Sequence, residues 1–122
     1  MQVKIDTRAK FHAITINERS FSANMTAELK NSLLPILEKE VKSVILNLKD
    51  IETLEDAAAI ELVKLQQLFY DNNASFVICE LRKEIVRNLE KSHLRELMNI
   101  TLTTSEAADI IHMEEIEREF LD

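Results

Sequence analysis

The sequence predicts an α/β fold with a largely parallel sheet, opened by an antiparallel hairpin. Three observations carry this expectation. β-rich runs alternate with helical patterns along most of the chain. The runs at 44–48 and 76–79 are apolar almost throughout, as strands covered on both faces are. Residues 44–62 lead from one such run, through a polar turn, into an alanine-rich helix that starts at the acid pair Glu55 and Asp56.

The elements follow in order. Val3, Lys4, Ile5, Asp6 and Thr7 alternate apolar and polar, the pattern of a half-exposed strand. A turn at 8–10 and a second β-rich run at 11–16 make 3–16 a hairpin. A polar connection leads to a helix patterned by Met25, Leu29, Leu33 and Ile36 or Leu37, with Ser22 or Asn24 placed to cap its first turn. Pro35 lacks an N–H and clashes with the preceding turn, so the helix should kink or end near Leu34.

Residues 44–48 read as a central strand. The helix after Asp56 sets Ala58, Leu62, Leu65 and Phe69 on one face, with Ala59, Val63, Gln66 and Tyr70 as a second, mixed stripe. Asp71, Asn72 and Asn73 stop it. A strand at 76–79, a helix at 82–91 with Ile85, Val86 and Leu89 inward, and a short strand at 99–102 follow. Thr103 and Glu106 have capping-box spacing and open a final helix with Ala107, Ile110 and Ile111 apolar. The expected organisation is one domain over 1–112, with 113–122 as an acidic extension of the last helix carrying Ile116 and Phe120. The order is β-β-α-β-α-β-α-β-α, which implies right-handed crossovers.

Composition narrows the function. The chain has 122 residues, 22 acids against 15 bases and a net charge of −7. That balance disfavours phosphate backbones and anionic membranes, so neither nucleic acid nor membrane is an expected partner. No apolar run is long enough to span a bilayer, and the first residues lack a secretory signal's apolar block. A single cysteine cannot form an internal disulfide, and together these features point to a cytoplasmic protein. Glycine is absent, which excludes the glycine-rich phosphate loops and leaves turns to Asn, Asp or Ser, or to negative φ.

Nothing in the sequence requires a metal or cofactor. His12, His93 and His112 lie on different elements without metal-ligand spacing. Cys79, in an apolar run, reads as a buried small hydrophobe with no base nearby to activate it. Asp50 follows a central strand, as a response receiver's phosphorylated Asp does. However, the first strand supplies a single acid, Asp6, and the opening hairpin is the wrong topology. Glu55 and Asp56 admit three readings: first-turn acids facing the helix dipole, a general acid/base pair, or part of a recognition surface.

The 44–62 stretch and the element order resemble the STAS domain family, the anti-sigma factor antagonists. The resemblance runs from about Val3 to Ile111. It continues through Phe76-Val77-Ile78-Cys79, Leu81 and the helix at 84–89, and closes with Thr103-Thr104-Ser105-Glu106-Ala107-Ala108. It implies a mixed sheet of four or five strands, about four helices mostly on one face, and no site for turnover.

Family members bind an anti-sigma factor that is also a serine kinase, which phosphorylates an Asp-Ser-Ser-Gly-like turn opening the second helix. Ungapped, Glu55 falls on the Asp, Asp56 on the first Ser, Ala57 on the usual phosphoacceptor and Ala58 on the Gly. Shifted by one residue, Asp56 takes the Asp position, with Ala57 and Ala58 on the serines. In either register the acceptor hydroxyl is missing, since no Ser or Thr lies between Thr53 and Ser75. The family's GTP association also loses support from the missing glycines and the negative charge.

The resemblance therefore implies a non-catalytic protein-binding regulator whose partner is an anti-sigma factor or related kinase-like protein. The site is the turn Glu55, Asp56, Ala57 and Ala58, with Ser22 and Asn24 nearby and Ala59, Val63 and Tyr70 as a possible partner face. The alternative is an oligomerising subunit of a signalling or transport-linked complex, a homodimer through the C-terminal extension.

Overall fold

The computed structural model describes residues 1–121. Its main sheet has five strands in the order β1 (Val3–Thr7), β2 (His12–Ile16), β4 (Val44–Asn47), β6 (Phe76–Cys79) and β7 (Ile100–Thr101). β1 and β2 form the antiparallel hairpin, and every later pairing in this sheet is parallel. Four α-helices, α1 (Ala23–Leu33), α2 (Asp56–Asp71), α3 (Lys83–Lys91) and α4 (Thr104–Leu121), alternate with the strands. The mixed, largely parallel sheet expected from the sequence is thus present.

Period-two side-chain alternation splits β4 and β6 between two cores. Val44, Leu46, Phe76 and Ile78 join Leu29 and Leu33 of α1, Leu62 and Phe69 of α2, and Ile85 and Leu89 of α3 in the larger core. Phe69 and Phe76 meet there as tilted rings with centroids 5.3 Å apart, pinning α2 to β6. On the opposite face Ile45, Val77 and Cys79 pack under Ala107 and Ile111 of α4. Three helices therefore cover one face and one covers the other. Burial on both faces explains why these strands read as continuous apolar runs.

Local signals set the helix ends. The Ser22 hydroxyl, rather than Asn24, caps α1 by accepting the Met25 N–H at 3.4 Å. α1 ends at Leu33, and Pro35 sits in the first turn of a 3-10 segment, Leu34–Glu38, where a missing N–H costs nothing. The Thr103 hydroxyl accepts the Glu106 N–H at 3.1 Å and donates to the Glu106 carboxylate at 3.3 Å, opening α4. α4 runs unbroken through residue 113 to Leu121, and Asp122, the end of the expected extension, lies outside the described residues.

Two features depart from the sequence expectations. A second sheet, formed by β3 (Ser20–Phe21) and β5 (Thr53–Leu54) in parallel, has no counterpart in the sequence reading, because two-residue strands leave no periodic pattern. Among the described residues the left-handed positions are Asn73, Glu80 and His93, with φ of 59°, 59° and 62°. Asn73 fits the expected replacement for glycine. Glu80 and His93 do not, and they hold a conformation that costs an ordinary side chain roughly 1–2 kcal/mol.

Candidate functional site

The β3–β5 ribbon builds the corner that the sequence singles out. β3 feeds α1 and β5 feeds α2, so their parallel pairing sets the two helix N-termini side by side. The Glu55 N–H donates to the Phe21 carbonyl at 3.2 Å, extending the ribbon to the start of α2. The Glu55 carboxylate does not cap its own helix. It accepts the Ala23 N–H at 3.2 Å, at the first residue of α1. A carboxylate there satisfies a free donor and faces the positive end of the α1 dipole. One acid thus ties two helices together.

The remaining residues of the predicted site divide by exposure. Asp56 and Ala57 are exposed at the start of α2, and Asn24 is exposed at the start of α1, while Ser22 is half-buried by its capping role. Ala58 and Ala59 are wholly buried in the larger core, so neither offers a side chain to a partner. Their small size lets the first turn of α2 sit close against that core. Val63 is half-buried against the same core.

Tyr70 is 64% exposed but sits at the far end of α2. That is about 21 Å along the axis from Asp56 at 1.5 Å per residue. Between them, Gln66 is engaged with the backbone: its Nε2 donates to the Leu97 carbonyl at 3.2 Å and its Oε1 accepts the Asn99 N–H at 2.8 Å. The stripe of Ala59, Val63 and Tyr70 is therefore not a continuous surface. The larger core takes Ala59 and part of Val63, and the 97–99 segment engages Gln66. Tyr70 instead borders a separate cleft of about 380 Å³ with Leu97, Met98 and Glu114.

The surface beside Asp56 and Ala57 is one the sequence reading passed over. Ile60 is 44% exposed, one turn beyond Ala57. Lys64 follows on the same side, paired with Glu61 at 3.2 Å. Between α1 and α2 runs a groove of about 490 Å³ lined by Ala23, Ala27, Lys30, Glu61, Lys64 and Leu68. Ile60 carried a signal in the sequence: it is a large apolar residue outside the inward stripe of Ala58, Leu62, Leu65 and Phe69. The arrangement is an acidic corner near a groove lined by apolar side chains with Lys30, Glu61 and Lys64 among them.

Other chemistry-bearing groups are engaged internally. His12 is buried, with Nε2 donating to the Val41 carbonyl at 2.8 Å and Nδ1 2.9 Å from the Thr7 hydroxyl. At the C-terminal ends of the parallel strands, where such sheets commonly bind ligands, a polar clasp closes the edge. One Glu80 oxygen accepts the Asn47 amide at 2.7 Å and the Thr104 hydroxyl at 3.0 Å. Cys79 Sγ lies 3.6 Å from the same hydroxyl. Burial pushes the Cys79 thiol up, the Thr104 hydrogen bond opposes that rise, and the Glu80 charge adds to it. The net effect is the opposite of an activated nucleophile.

Ser75, the next Ser or Thr after the corner, is buried with its oxygen accepting from Arg118 at 3.2 Å. Among the described residues no cluster of three His, Cys, Asp or Glu side chains could hold a metal. No described helix is long and apolar enough to cross a membrane.

The profile of the STAS domain matches residues 3–107. No curated protein sequence matches significantly. Among solved structures, a Thermotoga maritima protein assigned as an anti-sigma factor antagonist is similar. It has a TM-score of 0.75 and 17% identity, over 89% of this chain and 93% of that one. A serine-to-glutamate variant of Moorella thermoacetica RsbS gives a TM-score of 0.70 at 16% identity, over 92% and 96% of the two chains. The murine anion transporter Slc26a9 contains the same fold, with a TM-score of 0.67 at 9% identity, over 88% of this chain and 18% of that one. At these identities the structures speak for the fold alone.

Proposed function

Because the chain belongs to the STAS domain family, we propose that it is a regulatory module that acts by binding a protein rather than by turnover. Its partner is an anti-sigma factor or a related kinase-like regulator. The observation that carries this reading is the corner itself: two helix N-termini locked together by Glu55, with Asp56 and Ala57 exposed beside the α1–α2 groove. Ile60 and the rims of both helices extend the contact surface, while Ala58 and Ala59 support it from below.

The corner binds without being switched by phosphate. Ala57 and Ala58 have no hydroxyl, and Asp56 supplies a fixed charge in the first turn of α2. One carboxylate charge only partly substitutes for a phosphate, which carries nearly two. Incubation with a cognate serine kinase and labelled ATP should leave residues 54–62 unlabelled; phosphate mapped to that window defeats the claim. Calorimetry against a partner captured from native lysate should show weaker binding for Asp56→Ala. Equal affinity would leave Asp56 with a helix-dipole role only.

A second reading rests on a different observation. Met113, Ile116 and Phe120 on the last turns of α4 are exposed, Phe120 to 85%. Such a helix could pack on a second copy and make the protein an oligomerising subunit. Light scattering of the full chain against a version truncated after His112 separates this reading from the first.

A further inference from the structure

One edge of the main sheet is β1, and among the described residues no strand pairs with its far side. Its backbone phase follows from two bonds. The Arg8 N–H donates to the Phe11 carbonyl at 2.8 Å, and the Asn17 N–H to the Gln2 carbonyl at 2.9 Å. Even positions of β1 therefore turn their backbone groups toward β2. Val3, Ile5 and Thr7 turn theirs outward, unpaired.

Ile5 stands beside the fully buried Ile14 on the same face yet is 51% exposed. Lys4 and Asp6 are exposed on the opposite face, where Arg8 already pairs with Asp6 at 2.9 Å. Charged side chains on an edge strand normally oppose pairing. Here their order is self-complementary.

We infer that two copies of this chain pair edge to edge through β1, antiparallel, with Ile5 opposite Ile5 of the second copy. A twofold axis at that point sets outward-turned positions against each other: Ile5 against Ile5, and Val3 against Thr7. It brings Lys4 opposite Asp6 of the second copy at both ends of the seam. These are the pairs without backbone hydrogen bonds, where cross-strand side chains come closest.

Sliding by one step puts the axis on Lys4 or on Asp6, so that like charges face each other. The alternation of Lys4, Ile5 and Asp6 thus favours one register over its neighbours, and the two sheets join into one. The contact is isologous, and its size places it in the weak, transient class, populated where the protein is locally concentrated.

The test is sedimentation velocity of the full chain at concentrations up to about 1 mM. The wild type should shift toward a dimer. Lys4→Glu and Asp6→Lys should each weaken it by roughly tenfold or more, because each places two like-charged pairs in the seam. The double variant restores opposite charges and should recover the dimer. Ile5→Pro should abolish it while leaving the hairpin intact, since the Ile5 N–H makes no bond to β2; a circular-dichroism melt checks the fold. If that variant fails to fold, the charge reversals decide alone. A wild type that stays monomeric throughout overturns the inference. So does a dimer unaffected by Ile5→Pro, or one lost only on truncation after His112.

Discussion

Glu55 and Glu80 occupy comparable places, each following a strand and reaching across to the start of a different helix. Glu55 takes the Ala23 N–H at the head of α1, and Glu80 takes the Thr104 hydroxyl at the head of α4. They differ in what remains free. The oxygen that Glu80 offers to Thr104 also accepts the Asn47 amide, so the clasp joins β4, β6 and α4. Glu55 spends one oxygen on one N–H, and its neighbours Asp56 and Ala57 stay in solvent. A carboxylate at a helix start is therefore not in itself a functional signal. What separates the two is whether the surrounding polar groups are already paired within the chain.

The contrast can be broken experimentally, starting with its larger arm. Glu80→Ala should cost about 2 kcal/mol, because it strands the Asn47 amide and the Thr104 hydroxyl. Urea unfolding measures this, and a loss equal to that of Glu55→Ala would make the two sites equivalent.

The next effect comes from Cys79 in the same clasp. Burial raises its thiol pKa in the folded state, so the unfolded chain loses that proton first, near its ordinary pKa of about 8.5. The contribution is fully present below that pH and declines as pH rises toward the folded value, by at most about 1.4 kcal/mol per unit. Comparing unfolding of the wild type and Cys79→Ala between about pH 8 and 10 isolates the slope. A difference that does not change with pH would mean that the thiol ionises alike in both states.

Glu55→Ala should cost about 1 kcal/mol, the scale of a lost helix cap. The smallest stability effect belongs to Asp56→Ala, at about 0.3–1 kcal/mol from the helix dipole. If Asp56→Ala destabilises more than Glu55→Ala in thermal melts, the assignment of tether and free acid is reversed.

Much of the fold was legible because its signals are local or periodic. The runs at β4 and β6 are apolar through and through, Pro35 marks the end of α1, and Thr103 with Glu106 announces α4. The site was legible only in outline. Glu55 and Asp56 stood out as a pair, but nothing in the sequence said that one would serve the neighbouring helix, because that depends on the two-residue β3–β5 ribbon. The stripe of Ala59, Val63, Gln66 and Tyr70 misled for a related reason. Helical periodicity identifies residues that share a side, but not what packs against it, and here the larger core takes Ala59 while the 97–99 segment takes Gln66.

The sequence by itself determined the α/β class, the order of the helices and main-sheet strands, the absence of glycine loops and the lack of any Ser or Thr between Thr53 and Ser75. These follow from residue identity and from periods of two and 3.6, which need no partner in space. Only the tertiary structure decided that Glu55 is a tether, that Glu80 and Cys79 are sealed into a clasp, and that Asp56, Ala57 and Ile60 face solvent. Exposure and hydrogen-bond partnership depend on contacts between segments distant in sequence, such as Ala23 with Glu55 and Asn47 with Glu80.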